Sequence, residues 1–429
     1  MDGDPAVEPE LDSFSLTFPL PYRVAFIVVL GVWAWGANLH YLSLVKIDVP
    51  SLINYPQRAS PRTDLPHHLS TYRLAILLTL PLSLSVLLFW ALSHRNPTLV
   101  IYYDFLPISL LLLILIIFFL PRRFSSSGRS RFLQTLRRVS IGGLAQPNDG
   151  KFGDILLADV LTSYAKVIAD LFVALCMFFA SNGSATKRPD RACGGQYLVP
   201  IIIAIPSLIR LRQCLIEYVR VRASNRRNGG IGAHGWGGQH LANALKYASA
   251  FPVVILSALQ RNLSMNHDAV GLTETSLYRA WLVAVIINSL YSFYWDVAKD
   301  WDLTLFSAIR SPSKAPQNMP FGLRPRLFFH TKELYYIVIL LDLLFRCTWS
   351  LKLSPHLDHF ADFESGIFLM EFLEVGRRWI WIFFRVETEW VRTTGKDDLG
   401  GPGQDDVLLG EYSDDLGDFG YSSGKDDDD

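Results

Sequence analysis

The stretch that decides the fold runs from residue 99 to residue 120 and reads LVIYYDFLPISLLLLILIIFFL. Its second half, residues 108–120, contains no charged side chain. A helix needs about 20 apolar residues to span a bilayer. Arginines follow at once, at Arg122 and Arg123, and short basic loops of this kind stay on the cytosolic side of a membrane. The stretch therefore predicts a transmembrane helix with its carboxyl end in the cytosol.

The same alternation of apolar stretches and short basic loops continues along the chain. Half of the 429 residues are hydrophobic and 19% are charged, and the mean hydropathy is +0.23. Soluble proteins carry about 25% charged residues. These values predict an all-α, polytopic membrane helix bundle of about nine transmembrane helices, with the lipid bilayer as its surroundings. The expected spans are 22–45, 71–93, 99–120, 154–180, 196–217, 243–263, 277–296, 333–352 and 366–387.

Several functional classes are excluded at this level. The net charge is zero and the chain has no zinc-finger, basic-zipper or RNA-binding signature, so we expect no nucleic-acid partner. Cys176, Cys193, Cys214 and Cys347 are scattered without a CxxC pair, so we expect neither a metal site nor a disulfide framework. No nucleophile–base set is present, and we expect a protein without a cofactor that is not an enzyme.

The basic loops also predict the orientation. The connections after the first, third, fifth and seventh spans are rich in lysine and arginine, which places them in the cytosol. With nine spans, the N-terminus is then lumenal and the C-terminus cytosolic. The connection between spans four and five, with Lys187, Arg188 and Arg191, is an exception. Asn182 and Asn262 begin N-x-S/T sequons on the predicted lumenal side, which supports the orientation.

Charged residues inside the predicted spans indicate a functional core. A charge at bilayer depth costs several kcal/mol and usually faces the bundle interior. Asp159 and Thr162 are three residues apart in span four and share a helix face. Asp296 and Asp300 share a face in span seven, where they repel each other unless a cation lies nearby. Lys246 of span six is one candidate cation, although a lysine at a helix start also snorkels to the interface.

Spans eight and nine supply further basic groups. Asp342 and Arg346 form an i, i+4 pair, and Glu374 shares a face with Arg377 and Arg378. Internal Glu–Arg bridging is one interpretation of span nine. The other is an anion site, because the planar guanidinium fork suits phosphate or carboxylate. Together these residues predict a buried core of mixed charge that binds an oxyanion transiently.

Five motifs in this order resemble the EXS-domain family, which includes the phosphate exporters. They are LLADVLTSY (156–164), PSLIRLRQCLIEY (206–218), HLANALKY (240–247), YSFYWDVAKDWDL (291–303) and LEVGRRWIWIFFRVETEW (373–390). The resemblance implies an all-helical exporter of inorganic phosphate. Without room for a sensory SPX domain, the chain is similar to the short branch of the family, which includes the fungal ER-retention-defective Golgi protein.

Resemblance to that branch implies a cellular location and a function. The expected location is the Golgi membrane, with cycling to the ER. The expected function is to move phosphate from the lumen to the cytosol, in support of glycosylation and of retention of lumenal ER proteins. Thr162 departs from the family pattern, since relatives commonly have asparagine there. The phosphate path that the resemblance implies consists of Asp159, Thr162, Lys246, Tyr247, Asp296, Asp300, Arg346, Trp349, Glu374, Arg377 and Arg378.

The expected organisation has four parts. Residues 1–21 form an acidic disordered tail, and 22–149 hold the N-terminal transmembrane helices with the basic cytosolic loop. Residues 150–392 form the EXS transmembrane domain, and 393–429 form an acidic disordered cytosolic tail. The alternative function is a membrane sorting scaffold that recycles Golgi glycosyltransferases through a coat adaptor or sorting factor on its cytosolic face. A homodimer is a further expectation.

Overall fold

The computed structural model describes residues 12–55, 66–119, 127–146, 149–180, 183–227, 235–265, 274–310, 320–348 and 364–397. Within these ranges the regular structure is helical and no strand is present, which confirms the predicted all-α membrane bundle. The helices are α1 (Ser13–Thr17), α2 (Leu20–Leu44), α3 (Val49–Leu52), α4 (His67–Ser93), α5 (Pro97–Tyr102), α6 (Phe105–Phe119), α7 (Ser127–Ser140), α8 (Lys151–Ser163), α9 (Ala165–Phe179), α10 (Leu198–Arg227), α11 (Gly238–Ala248), α12 (Ala250–Met265), α13 (Glu274–Trp295), a π-helical turn (Asp296–Asp300), α14 (Leu305–Arg310), α15 (Lys332–Arg346) and α16 (Glu364–Asp397).

Six helical segments of the described chain are long and apolar enough to cross a bilayer. A seventh is added if α8 and α9 count as one span, although they meet at an angle of 61°. The last two predicted spans correspond to α15 and α16, of 15 and 34 residues. Neither meets the same criterion of length and composition. The number of nine transmembrane helices therefore stays a prediction.

α16 occupies the middle of the bundle. It contacts α1, α2, α3, α8, α15 and the π-helical turn. α2 also packs on α4, α6 and α9, while α10 packs on α8, α9, α11 and α12. A core of large apolar side chains joins the end of α2 to the π-helical turn, α15 and α16. The helix that carries Glu374, Arg377 and Arg378 is thus surrounded by protein.

The interior of the bundle contains many charged side chains, whereas leucines of α4 face outward. Leu80 and Leu84 of α4 are 65% and 69% exposed. By contrast Asp159 and Arg377 are each only 4% exposed, and Asp296 is fully buried. Charges are excluded from hydrocarbon and are retained in membrane helices where other protein groups compensate them. The arrangement places the charged residues between the helices.

Three irregular backbone positions adjoin these charges. α8 ends and α9 begins on either side of Tyr164. α11 and α12 meet at Ser249, whose hydroxyl donates to the carbonyl of Lys246 at 2.6 Å. α13 ends in the π-helical turn Asp296–Asp300. Non-helical backbone at membrane depth is tolerated where protein surrounds it, and π turns occur frequently at functional sites. The predicted span four is therefore broken by a bend of 61°, whereas span six stays continuous across Ser249.

The break between α8 and α9 depends on a small residue in α2. The Tyr164 hydroxyl donates to the carbonyl of Ile27 at 3.5 Å. A Cβ added at Gly31 would lie 2.0 Å from the Tyr164 hydroxyl oxygen and 3.1 Å from its ring carbon Cζ. Small residues allow membrane helices to approach each other closely. Gly31 therefore makes the space that Tyr164 fills.

A second group of contacts fixes the start of α16. Glu364 accepts hydrogen bonds from Arg191 at 2.7 Å and from Arg23 at 2.6 Å. Burial alone would raise the pKa of Glu364, but the two arginines outweigh it and hold that pKa below its usual range. The carboxylate therefore stays ionised, and it ties α16 to α2 and to the connection between α9 and α10.

Part of the chain predicted as a disordered N-terminal tail is ordered in this region. Asp12 accepts a hydrogen bond from the backbone N–H of Ser15 at 3.2 Å and caps α1. Arg23 of α2 lies 4.6 Å from the ring centroid of Phe14, and the Phe14 ring lies 5.8 Å from that of Phe368, which holds α1 against α16. At the other end of the chain, α16 continues to Asp397, a few residues into the predicted C-terminal tail.

The expectation of a chain without disulfides was wrong. Cys176 at the end of α9 is bonded to Cys193. The sequence shows only that the two residues are 17 apart, whereas the fold of the intervening connection brings them together. Cys214 and Cys347 are free. The disulfide closes the loop that contains Arg191.

We expect Gly31→Ala to lower the free energy of unfolding by about 1–3 kcal/mol, because the new methyl group overlaps the Tyr164 hydroxyl. Combining it with Tyr164→Phe removes the overlapping oxygen and restores most of that stability. The measurement is the thermal unfolding midpoint of the purified protein in detergent, with Tyr164→Phe alone as control. An unchanged midpoint for Gly31→Ala would contradict the packing described above.

Loss of the disulfide should also destabilise the protein. A loop of this length predicts that Cys176→Ser or Cys193→Ser costs about 3 kcal/mol. The double variant should lose no more than either single variant, since all three lack the same bond. Thermal unfolding under oxidising conditions measures the effect, with Cys347→Ser as the matched control. If a reductant leaves the wild-type midpoint unchanged, the bond does not contribute as expected.

Candidate functional site

The site is a buried group of charged side chains at the centre of the bundle. We call it the central charge cluster. Its members come from α8, α10, α11, the π-helical turn, α15 and α16, and cations and carboxylates are equal in number. The cations are Arg210, Lys246, Arg346, Arg377 and Arg378, and the carboxylates are Asp159, Asp296, Asp300, Asp342 and Glu374.

On the α8 side, Asp159 is the acceptor. Arg210 donates from Nε to its Oδ1 at 2.7 Å, and the Tyr247 hydroxyl donates to the same oxygen. The guanidinium of Arg210 also lies 4.9 Å from the ring centroid of Tyr247. Arg210 is 4% exposed, so its charge is compensated inside the protein. α8, α10 and α11 therefore meet at Asp159.

The π-helical turn presents two carboxylates to one lysine. Lys246 Nζ donates to Asp296 Oδ1 at 3.2 Å and to Asp300 Oδ2 at 3.4 Å. The lysine is 6% exposed and therefore does not snorkel to the membrane interface. Its single charge lies between two aspartates that would otherwise repel each other. α11 is in this way joined to the end of α13.

Asp296 is shared by three helices. In addition to Lys246 it pairs with Arg346 of α15 and with Arg377 of α16, the latter at 3.3 Å. Asp342 accepts from Arg346 at 3.1 Å and from Arg377 at 3.1 Å. Removing one partner from a buried ion pair typically costs about 3–5 kcal/mol, because the other charge is left uncompensated. The network therefore fixes the relative positions of its helices.

Glu374 lies at the edge of the network. It accepts from Arg377 Nη2 at 2.7 Å and from the Ser163 hydroxyl at 2.7 Å. Its side chain is 37% exposed, compared with 4% for Arg377. Glu374 is thus the most exposed member of the cluster.

Arg378 differs from the other cations. Its Nε donates to the Ser163 hydroxyl at 2.9 Å, and its Nη2 donates to the Thr162 hydroxyl at 3.3 Å. The guanidinium lies 4.5 Å from the ring centroid of Trp381. Its Nη1 is buried without a hydrogen-bond partner. In the part of the chain that the structure describes, Arg378 forms no ion pair, and one of its N–H groups has no acceptor.

The structure brings together ten of the eleven residues predicted for the phosphate path. Trp349 lies outside the described residues. Arg210, Ser163 and Asp342 were missed as site residues. A signal was present for Arg210, which interrupts the apolar run of span five, and for Asp342, whose spacing from Arg346 already predicted a pair. Ser163 gave no signal, since a buried serine is ordinary in a membrane helix.

A small cavity adjoins the cluster between the π-helical turn, α15 and α16. It has about 160 Å³ of empty space, and its gaps are narrower than a water molecule. This cavity therefore has no room for phosphate in this conformation. Among the described residues no group of three or more His, Cys, Asp or Glu side chains is arranged to hold a metal ion. The residues that line the cavity are Trp301, Val338, Leu341, Asp342, Phe345, Arg377, Ile380 and Trp381.

Comparison with known proteins agrees with the motifs. Residues 18–391 match the EXS family. Protein ERD1 homolog 1 of Schizosaccharomyces pombe is 32% identical over 384 residues, which cover 89% of this chain and 93% of that protein. Protein ERD1 of Kluyveromyces lactis is 29% identical over 415 residues, which cover 92% of this chain and 98% of that protein.

A human protein also matches over a shorter region. Solute carrier family 53 member 1 is 30% identical over 260 residues, which cover 57% of this chain and 33% of that protein. The family model covers most of the chain, and the fission-yeast relative matches over nearly its whole length. The resemblance drawn from the five motifs is confirmed, and the chain belongs to the EXS family.

Proposed function

We propose that this protein transports inorganic phosphate across the Golgi membrane, from the lumen to the cytosol, and that it is not an enzyme. The observation that carries the proposal is Arg378. Its guanidinium is 6% exposed, is held by two hydroxyl groups and has no ion-pair partner among the described residues. A buried cation without a counterion is costly, and a tetrahedral oxyanion would supply the missing charge and acceptor.

The neighbouring groups suit transient binding. Arg346 and Arg377 are already paired with Asp296 and Asp342. An incoming phosphate would exchange with these carboxylates as a partner of the guanidinium groups. Asp296 and Asp342 can re-form their ion pairs with the arginines. They therefore compete with phosphate and limit its affinity for the site. Transport requires this balance, in which a site binds well enough to fill and loosely enough to empty.

Phosphate transport also requires the site to open. Glu374 is the exposed edge of the cluster and bridges Arg377 to Ser163. Movement of this one side chain would break both contacts and widen the approach to Arg377 and Arg378. The break between α8 and α9 lies directly after Ser163, so a change in the angle between these helices would act on the same contact.

Three observations support the proposed location of the protein and the direction of phosphate transport. The chain matches ERD1 proteins over most of their length, and the human relative is named as a solute carrier. The Cys176–Cys193 disulfide lies in a connection predicted to be lumenal, and disulfides persist in oxidising compartments. The basic loops favour the cytosol on the opposite side. Recovery of phosphate released in the lumen would support glycosylation and retention of lumenal ER proteins.

Replacing Arg378 should strongly reduce transport without unfolding the protein. We expect Arg378→Ala to reduce the phosphate flux by roughly tenfold to a hundredfold, since it removes charged hydrogen bonds to the anion. Arg378→Lys keeps the charge but loses the fork, and should retain an intermediate flux. The measurement is efflux of radiolabelled phosphate from proteoliposomes that contain the purified protein.

Arg279→Ala is the control for that experiment, because Arg279 is an exposed arginine of α13 outside the cluster. Its flux should equal the wild-type flux. Equal flux from Arg378→Ala and wild type would remove Arg378 from the path. Absence of flux from well-folded wild-type protein, at any phosphate gradient or voltage, would reject the transport function itself.

A further inference from the structure

Two tryptophans beside the central charge cluster have donors without acceptors. Trp301 and Trp381 are each 1% exposed, and both line the cavity between the π-helical turn, α15 and α16. Within the described residues, the indole Nε1 of each has no hydrogen-bond partner. Buried donors without an acceptor are rare in folded proteins and call for an explanation, such as an ion or molecule that binds there.

Arginines of α16 adjoin these tryptophans. Trp381 lies under the guanidinium of Arg378, 4.5 Å from ring centroid to Cζ, and the Nη1 of that guanidinium is also unpartnered. Arg377 lines the same cavity. Two tryptophans with unpartnered indole N–H groups and the guanidinium of Arg377 therefore line one small space, and their polar groups can only donate. Such a set selects a ligand that is rich in acceptor oxygens.

One acceptor group limits the choice of ligand. Asp342 also lines the cavity, and it is buried at 3% exposure. A carboxylate repels an oxyanion that carries no proton, whereas it accepts a hydrogen bond from one that does. At neutral pH phosphate and arsenate keep at least one O–H group, and sulfate keeps none. The donors and Asp342 together fit a protonated tetrahedral oxyanion.

We propose that this cavity is a selectivity subsite, in which the indoles of Trp301 and Trp381 donate to the oxyanion and Asp342 accepts its proton-bearing oxygen. The inference rests on the proposed transport of phosphate and adds the residues that distinguish phosphate from sulfate. The subsite widens when the cluster opens. The anion then passes from the guanidinium of Arg378 to the two indoles.

The first test removes the indole N–H groups and keeps the rings. We expect Trp301→Phe and Trp381→Phe each to weaken the binding of inorganic phosphate by roughly tenfold, because each loses one hydrogen bond to a charged group. Equilibrium binding of radiolabelled phosphate to the full-length protein in lipid nanodiscs measures the affinity. Thermal unfolding reports whether each variant is folded.

Trp281→Phe is the matched control. Trp281 of α13 is 8% exposed and its indole Nε1 also lacks a partner, but it does not line the cavity. Its phosphate affinity should equal that of the wild type. If Trp301→Phe and Trp381→Phe also bind like the wild type, the two indoles do not contact the anion and the proposal is overturned.

The second test concerns selectivity. Against labelled phosphate on the wild-type protein, arsenate should compete about as well as unlabelled phosphate, and sulfate at least roughly tenfold more weakly. In Asp342→Asn the difference in affinity between phosphate and sulfate should become smaller, because the carboxylate charge that repels sulfate is removed. Since Asp342→Asn also loses two ion pairs and can fail to fold, the wild-type competition decides by itself. Sulfate that competes as well as arsenate overturns the role of Asp342.

These results separate the two proposals. A wild-type protein that neither binds nor transports phosphate refutes the proposed function. A wild-type protein that transports phosphate, loses flux in Arg378→Ala, and keeps its affinity in both tryptophan variants refutes only the subsite.

Discussion

Compensation of buried charge is the constraint on which this structure depends. An ionised side chain taken out of water loses hydration that only close counter-charges and hydrogen bonds replace. Asp296 satisfies this requirement through Lys246, Arg346 and Arg377, which belong to three different helices. No member of the network can leave its place without exposing another. The packing of the bundle is therefore specified by a few ion pairs as much as by its apolar surfaces, which face one another and the lipid with similar ease.

The irregular backbone positions follow from the same constraint. A straight helix carries side chains of like position along one narrow stripe, and it cannot direct several of them at one point. The bend at Tyr164 and the π-helical turn at Asp296–Asp300 change the course of the backbone where α8 and α13 reach the cluster. Each is surrounded by protein, where unsatisfied backbone groups find partners. The helices are thus interrupted at the depth at which the charges meet.

Local spacing explains which parts of the site could be predicted. Asp342 with Arg346, and Glu374 with Arg377, are neighbours on one helix, and their pairing is visible in the sequence. The need of Asp296 and Asp300 for a cation was visible as well, and Lys246 was named as one candidate for it. The link from Arg378 to Ser163 spans 215 residues of sequence, and the link from Arg210 to Asp159 spans 51. Such contacts depend on how helices pack, which periodicity does not encode. The Cys176–Cys193 bond was missed for the same reason, since scattered cysteines are joined only by the fold of the loop between them.

The contact that anchors the start of α16 comes from the loop closed by the disulfide. Arg191 lies inside the loop that the disulfide closes and holds Glu364, the first residue of the helix that carries Arg377 and Arg378. The start of that helix is thus held by an arginine whose loop is closed by a covalent bond. In a chain whose cysteines are reduced, the same loop would lack this closure. The position of the helix that carries Arg377 and Arg378 therefore depends on the oxidation state of two cysteines that do not belong to the central charge cluster.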